Sequence, residues 1–387
     1  MSPVQVAPRE LDFLLERVAE ALQLTPTQYQ SAVEKYQAVG RWLSASESPL
    51  AALHPAIYPQ GSMALQTTVR PLRRMEYDLD LVCEVRPTRA SAMELFNTVY
   101  ARLHENGTYR PILEKKNRCV RLNYAGNFHL DIIPAQPDPP RPPMSVVVPD
   151  RKLQDWSPSN PRGYAAWFHD RSRGIEKVRA AVEALPTQTP PDLKTPLSVA
   201  VQTIKRRRDV MFADADTAPR SIVLTTLAAR HYRGGDCVAT IITQILAGIE
   251  AEVLAAAPER IRVCNPTNDG ERFCDSFTDE GYDAFVHFVR TMRAEVAALL
   301  AARDHQDLRK QLIWMFGDAP VDEALRVYAG KLAAAEGSPG GSSGPAIIVV
   351  GNDRAAGRSA AADAARLAAL NAIASDLPVP TRPYRAW

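Results

Sequence analysis

The chain has 387 residues, 46% hydrophobic and 23% charged, with a formal net charge of +2. A length beyond the roughly 250 to 300 residues at which single cores stop growing predicts two lobes, and near-neutral charge argues against a large phosphate-tracking surface. No stretch approaches the roughly 20 apolar residues of a membrane helix and the N-terminus lacks a signal-peptide pattern, so the sequence predicts a cytoplasmic protein with no membrane association.

Leu11, Leu14, Leu15, Val18, Ala21 and Leu22 follow helical spacing, and Thr25-Pro26 supplies an N-cap and a first-turn proline for a second helix. A short apolar run at 56–58 meets a turn, Pro59-Gln60-Gly61-Ser62, after which residues 63–68 read as helical. Residues 77–85 alternate as a strand, and helical spacing resumes over 91–104. CVRLNY and FHLDII flank Ala125-Gly126-Asn127 and predict a hairpin. A proline-rich stretch follows at 134–143, and Ser159-Asn160-Pro161 starts a helix whose apolar face carries Tyr164, Trp167 and Phe168. Strand signals then fade. The expected division is a mixed lobe with N-terminal helices over 1–190 and a helical lobe over 191–387, with a Gly/Ser-rich connector at 336–345 and a last helix after residue 354.

In a strand, side chains alternate between faces, so Asp78 and Asp80 project together while Leu79 and Leu81 point to a core. Paired carboxylates repel unless a cation neutralises them, and oxygen donors without nearby His or Cys favour Mg²⁺ or Mn²⁺. A third carboxylate, Asp131, sits in the predicted strand HLDII. Three carboxylates suit a two-ion site for phosphoryl transfer. Gln60-Gly61-Ser62 is a tight turn whose backbone N–H groups and hydroxyl can hold phosphate oxygens. The five cysteines (Cys83, Cys119, Cys237, Cys264, Cys274) form no CxxC pair, which suits free thiols and no structural zinc. Two readings stay open for Arg70, Arg73 and Arg74: steering of triphosphates, or solvation of a loop. A basic run such as 205–208 is ordinarily a solvated helix face, and Tyr77 reads as packing.

Gly61-Ser62, Asp78-Leu79-Asp80 and the distant Asp131 resemble the signature of polymerase beta-type nucleotidyltransferases. PQGSMALQTTVRP, EYDLDLVCEV, PSNPRGYAAWF, IKRRRDVMF, SIVLTTLAA and NPTNDGERF, in that order over roughly residues 55–280, resemble one branch of them. That branch is the cGAS/DncV-like nucleotidyltransferases of bacterial anti-phage signalling operons, relatives of cyclic GMP-AMP synthase and oligoadenylate synthase. The resemblance implies an α/β (α+β) fold, with a polymerase beta-like core and small mixed sheet facing an oligoadenylate-synthase-like helical lobe. It implies Mg²⁺-dependent synthesis of a purine cyclic di- or trinucleotide from ATP and GTP, with a mixed guanine-adenine dinucleotide first and pyrophosphate released. The product would switch on a separate effector. By position, Asp78 and Asp80 would bind both ions and Asp131 would complete the catalytic one. Gln60, Gly61 and Ser62 would line the donor triphosphate. Lys205 and Ser221 match the family's triphosphate-contacting Lys and Ser. Ile222 stands where several relatives carry a base-stacking aromatic, and Asn265-Pro266 matches a motif of structural character. The zinc insertion of the animal DNA sensor is missing, and near-neutral charge does not support a double-stranded RNA surface, so activation by nucleic acid is not expected. The competing expectations are a polymerase beta-type enzyme acting on RNA, tRNA or protein, and a catalytically silent, antitoxin-like nucleotide-binding module.

Overall fold

The computed structural model describes residues 8–72, 76–126, 128–172, 184–186, 188, 194–213, 215–275 and 277–336. Arg73, Arg74, Asn127, the connector from 337 onward and the helix expected after residue 354 lie outside the described residues.

Helices α1 (Pro8–Ala21) and α2 (Pro26–Ser44) open the chain. Thr25 begins α2 through a capping box: its hydroxyl accepts from Gln28 N, and Gln28 Oε1 accepts from Thr25 N. Strand β1 (Ala56–Gln60) runs into the one-turn helix α3 (Gly61–Ala64). The helical stretch therefore starts two residues earlier than the apolar spacing predicts and stops by residue 64, since Gln66 takes a positive φ of 57°. Strands β2 (Tyr77–Glu84), β3 (Leu113–Lys115), β4 (Val120–Tyr124), β5 (Phe128–Pro137), β6 (Val146–Asp150) and β7 (Asp155–Ser159) follow, with α4 (Ala92–Glu105) after β2.

These strands form one mixed sheet in the order β1-β2-β5-β4-β3, with β6 and β7 extending from the far end of β5. The pair β2/β5 is parallel and the other pairs are antiparallel. One face is apolar: Leu79, Leu81, Cys83, Val120, Leu122, Leu130 and Ile132 pack against Tyr36, Val39 and Leu43 of α2 and Leu95, Phe96 and Val99 of α4. Strand alternation therefore sends residues 78, 80 and 131 to the opposite face, whose other end is closed by the small cluster of Tyr58, Val82, Ile133, Ala135, Val146 and Val148.

The rest is mainly helical: α5 (Pro161–Ser172), α6 (Pro196–Met211), α7 (Ser221–His231), α8 (Val238–Ala256), α9 (Asp279–Leu300), α10 (His305–Phe316) and α11 (Asp318–Glu336). A short hairpin, β8 (Cys264–Asn265) with β9 (Asn268–Arg272), interrupts the expected run of helices. The helical core gathers residues of α1 (Leu11, Leu14, Leu15, Val18) and α5 (Tyr164, Phe168) as well as the later helices. Helix α8 is long and apolar enough, by length and composition, to cross a membrane, which corrects the expectation that no stretch approaches that limit. Its Ile241, Ile242, Ile245, Leu246 and Ile249 are buried in the helical core.

Asn160, fully buried at the start of α5, joins β6, α5 and the β8/β9 hairpin. Its Oδ1 accepts from Gly163 N, while Nδ2 faces Pro143 O, Ser145 Oγ and Thr267 O at 3.2–3.4 Å. Gly163 is required there, because a Cβ would collide with the Asn160 amide. Asn265 Nδ2 donates to Asn160 O and Glu271 Oε2, giving the Asn265-Pro266 motif a packing role. Asn160→Ala leaves several buried polar groups unpaired, so we expect a loss of about 2–3 kcal/mol, read as a lower urea midpoint at unchanged m-value.

Candidate active site

Asp80 and Asp131 are direct neighbours across the parallel β2/β5 pair, and Asp78 stands one step along the same face, opposite His129. Gln60 is paired with Asp80 on the other side, so the turn that begins at Gly61 arrives beside that carboxylate. Gly61 has a φ of 64°, and a Cβ there would collide with Asp80 Oδ2. Both the backbone conformation and the close approach therefore demand glycine.

Gly61, Ser62, Asp78, Asp80, Lys205 and Ser221 line one cleft of about 350 Å³ between the sheet and helices α6 and α7. Thr67, Thr68, Leu72, Arg208, Asp209, Ile222 and Thr225 complete much of its wall. Gln60 and Asp131 do not line it; they flank Asp80 in the sheet. Arg70 is likewise not among the lining residues. Tyr77 lines the cleft but is 5% exposed and stacked on Phe128, in keeping with packing.

The basic run is not a solvated face. Lys205, Arg206 and Arg207 are buried at 8%, 6% and 4% exposure. Lys205 Nζ donates to Thr67 O at 2.9 Å, Arg206 donates to Phe316 O and Arg70 O, and Arg207 makes a two-pronged pair with Glu295 of α9. Arg208 reaches into the cleft, donating to Asp209 Oδ1 and to Ser221 Oγ, both at 2.6 Å. Because Ser221 Oγ accepts that bond, its own proton is free to be donated elsewhere. Sequence reasoning missed Arg208: a run of four cations gives no hint of which member faces the site. Residues 205 and 208 lie three apart on a helix, and that spacing was the available signal.

Arg121 of β4 was missed as well. It stands opposite Asp131 in the antiparallel β4/β5 pair. Its Nε donates to Asp131 Oδ1 at 2.6 Å and Nη2 to Asp131 Oδ2 at 2.7 Å, with a longer 3.3 Å contact from Nη2 to Asp78 Oδ1. Its pKa is raised, first by the bond to Asp131.

Asp131 is paired by Arg121, but Asp78 and Asp80 are poorly neutralised. Burial pushes the Asp80 carboxyl up to about 8, with Asp131 and Asp78 adding like charge against Arg121 and Lys205. Desolvation in the cleft also raises Asp78, against the pull of Arg121. Burial lowers Lys205 to about 8, opposed chiefly by Asp209. Among the described residues, no three acidic, histidine or cysteine side chains close around an ion as they stand. Even so, the donor chemistry fits a hard divalent cation: oxygen ligands from adjacent strands, with charge in excess of the cations facing them.

Residues 12–172 match the family described as the Second Messenger Oligonucleotide or Dinucleotide Synthetase domain. Among curated proteins, the c-di-GMP synthase of Roseivirga ehrenbergii is 33% identical over 332 residues, covering 84% of this chain and 88% of that protein. The cyclic dinucleotide synthase CdnG of Bradyrhizobium diazoefficiens is 28% identical over 353 residues, covering 83% and 84%. The structure of that organism's CD-NTase CdnG in complex with GTP aligns with a TM-score of 0.67, covering 82% of this chain and 99% of that one.

The raised pKa of Asp80 carries a sign. The folded state holds a proton that the unfolded chain releases near 3.8, so this carboxyl costs stability increasingly as pH rises from about 4 to about 8. Lys205 remains charged through most of that window. Asp80→Asn removes the cost, so in EDTA its melting temperature should exceed that of the wild type by a margin that widens from pH 5 to pH 8. A constant or shrinking margin would refute this electrostatic account.

Proposed function

Because the chain belongs to the cGAS/DncV-like nucleotidyltransferases, we propose that it joins guanine nucleoside triphosphates into cyclic di-GMP, by phosphoryl transfer at Asp78, Asp80 and Asp131. It is a nucleotidyltransferase. The single observation that carries the site assignment is the register of β2 and β5, which sets Asp80 beside Asp131 and Asp78 next along the same face, at a cleft lined by Gly61, Ser62, Lys205 and Ser221.

Two Mg²⁺ ions, for which Mn²⁺ can substitute, would be held by the three carboxylates and would supply charge neutralisation at the transferring phosphoryl group and acidification of the acceptor hydroxyl. The protein's own groups do the rest. Ser62 and the backbone of the Gln60-Gly61-Ser62 turn hold the donor phosphates, while Lys205, Ser221 and Arg208 bear on the leaving pyrophosphate from α6 and α7. Asp131, the carboxylate nearest β4, orients the acceptor 2′- or 3′-hydroxyl. No covalent intermediate on the enzyme is needed: the acceptor oxygen bonds to the α-phosphorus as its bond to pyrophosphate breaks. A second transfer within the linear intermediate closes the ring.

Guanine is preferred on the strength of two relatives, one bearing the name c-di-GMP synthase and one solved with GTP. That moves the first choice of product away from the mixed guanine-adenine ring expected from the family likeness. We further propose that the product acts as a second messenger on a separate effector in anti-phage defence, and that the enzyme works in the cytoplasm, where its substrates are. The polymerase-like alternative requires a macromolecular acceptor, which the assay below leaves out.

Purified protein given Mg²⁺ and GTP alone should yield a nuclease P1-resistant product of the mass of cyclic di-GMP. Dependence on an added RNA, tRNA or protein acceptor would overturn the proposal, and incorporation of adenine when all four triphosphates are supplied would correct the product. Asp78→Asn with Asp80→Asn should abolish turnover while circular dichroism stays native, and turnover retained in that variant would remove these residues from the mechanism. Gly61→Ala should lower kcat/KM by at least about 100-fold, since a misplacement on the order of 1 Å at a positioned site has that cost.

A further inference from the structure

Arg121 reaches farther than a cross-strand pair requires. A structural partner for Asp131 would stop at its strand neighbour on β5, whereas this guanidinium extends across β5 to Asp78 on β2. The two ends of the bridge differ. At Asp131 both oxygens are held by the guanidinium fork at 2.6 and 2.7 Å, and that carboxylate side chain is only 11% exposed. At Asp78 there is one contact, at 3.3 Å, to a side chain that is 60% exposed. Charge-assisted bonds are strong when short and two-pronged, and weak when long and solvated.

We propose that Arg121 is a built-in counter-ion for this carboxylate cluster. It spans Asp131 and Asp78, gives up Asp78 when a divalent cation is taken, and stays on Asp131 as that residue's positioning group. The inference rests on the reading of Asp78, Asp80 and Asp131 as cation ligands. It accounts for two observations together: the carboxylates share one face of adjacent strands, and the cation touching two of them is tethered to a neighbouring strand. Like charges on β2 and β5 need a positive partner before any ion arrives, and a guanidinium is always charged and planar enough to bridge two carboxylates. Its hold on Asp78 then competes with the incoming ion. Arg121 therefore sets a threshold of divalent-cation concentration below which the cluster stays closed on itself.

The test measures Mn²⁺ binding to nucleotide-free protein by electron paramagnetic resonance, with Asp80→Asn defining the specific site. Arg121→Gln should bind Mn²⁺ about tenfold more tightly, since a competing charge a few ångströms away is removed, and should at the same time lower kcat because Asp131 loses its orientation. A purely structural salt bridge predicts the opposite sign for the ion: weaker Mn²⁺ binding in Arg121→Gln. Unchanged or weaker binding in a folded Arg121→Gln overturns the counter-ion role and leaves the ligand assignment standing. Wild-type Mn²⁺ binding that Asp80→Asn does not alter overturns both. Should Arg121→Gln fail to fold, a wild-type crystal with Mn²⁺ and a non-hydrolysable GTP analogue decides. The proposal requires Nη2 to have parted from Asp78 while both bonds to Asp131 persist, and an intact Asp78 contact overturns it.

Discussion

Three carboxylates on two adjacent strands repel one another, and much of the sheet and the helices behind it is arranged to hold them together despite that repulsion. The restraint is mechanical before it is electrostatic. Asp80 and Asp131 are fixed side by side by the parallel β2/β5 ladder. That ladder is anchored from behind by Leu79, Leu81, Leu130 and Ile132, all fully buried against α2 and α4. Moving either carboxylate to the other face would require a one-residue register slip, which would put the whole apolar set in the cleft and the acids in the core. The hydrophobic effect thus enforces a charge arrangement that electrostatics alone would disperse.

The second constraint is how the segment between α3 and β2 is tied down. Four of its carbonyls are taken by side chains on or just before α6: Gln66 O by Lys194, Thr67 O by Lys205, Thr68 O by Gln202 and Arg70 O by Arg206. His169 of α5 meets Ala64 O in the same way. This loop follows the Gly61-Ser62 turn directly, so its position fixes where the turn stands relative to Asp80. Buried cations bonded to backbone carbonyls avoid part of the cost that isolated buried charges would carry. Lys205 is therefore both a strut and a cleft residue. An ammonium has three donors, and one bond to Thr67 O leaves two for a phosphate.

Legibility in the sequence divided along physical lines. Features set by local periodicity were readable: the alternation that puts Asp78 and Asp80 on one face, the Thr25-Pro26 helix start, the Gly126 hairpin between β4 and β5, and Asn160-Pro161 opening α5. Features set by tertiary contact were not. Arg121 looks like any alternating strand residue until the β4/β5 register places it opposite Asp131. The burial of Lys205, Arg206 and Arg207 contradicts the usual reading of a basic run, because the acceptors that make it tolerable are backbone carbonyls and Glu295, distant in sequence. The apolar spacing of α1 announces a helix but not its partner, which is the late helical core rather than the nearby sheet. Residues 63–68 were misread because the helical pattern there ends at a positive-φ Gln66, which apolar periodicity does not register. Helix α8 has the length and composition of a membrane span, yet only one face of it, with Ile241, Ile242, Ile245, Leu246 and Ile249, is buried, while Thr240, Gln244 and Leu254 on the other are exposed.

Charge balance gives these parts a common logic. On the proposed mechanism a triphosphate brings negative charge and the divalent ions bring compensating positive charge, so loading the cleft changes its net charge little while rearranging it locally. The protein then needs groups that serve in both states. Arg208 is held between Asp209 and Ser221, so it can turn toward phosphate without first leaving an unpaired partner in an apolar wall, because Asp209 also faces Lys205 and Arg206. Arg121 can keep both bonds to Asp131, from Nε and Nη2, with or without the longer contact from Nη2 to Asp78. Asp80 has no hydrogen-bonded cation among the described residues: it is pressed between the Gly61 turn and Asp131, and burial with two like charges favours its neutral form. The electrostatic cost of the cluster is thus concentrated on Asp80, where a cation bound as proposed would relieve it. Differential stabilisation of that kind would tie ion capture to the geometry that the proposed transfer needs.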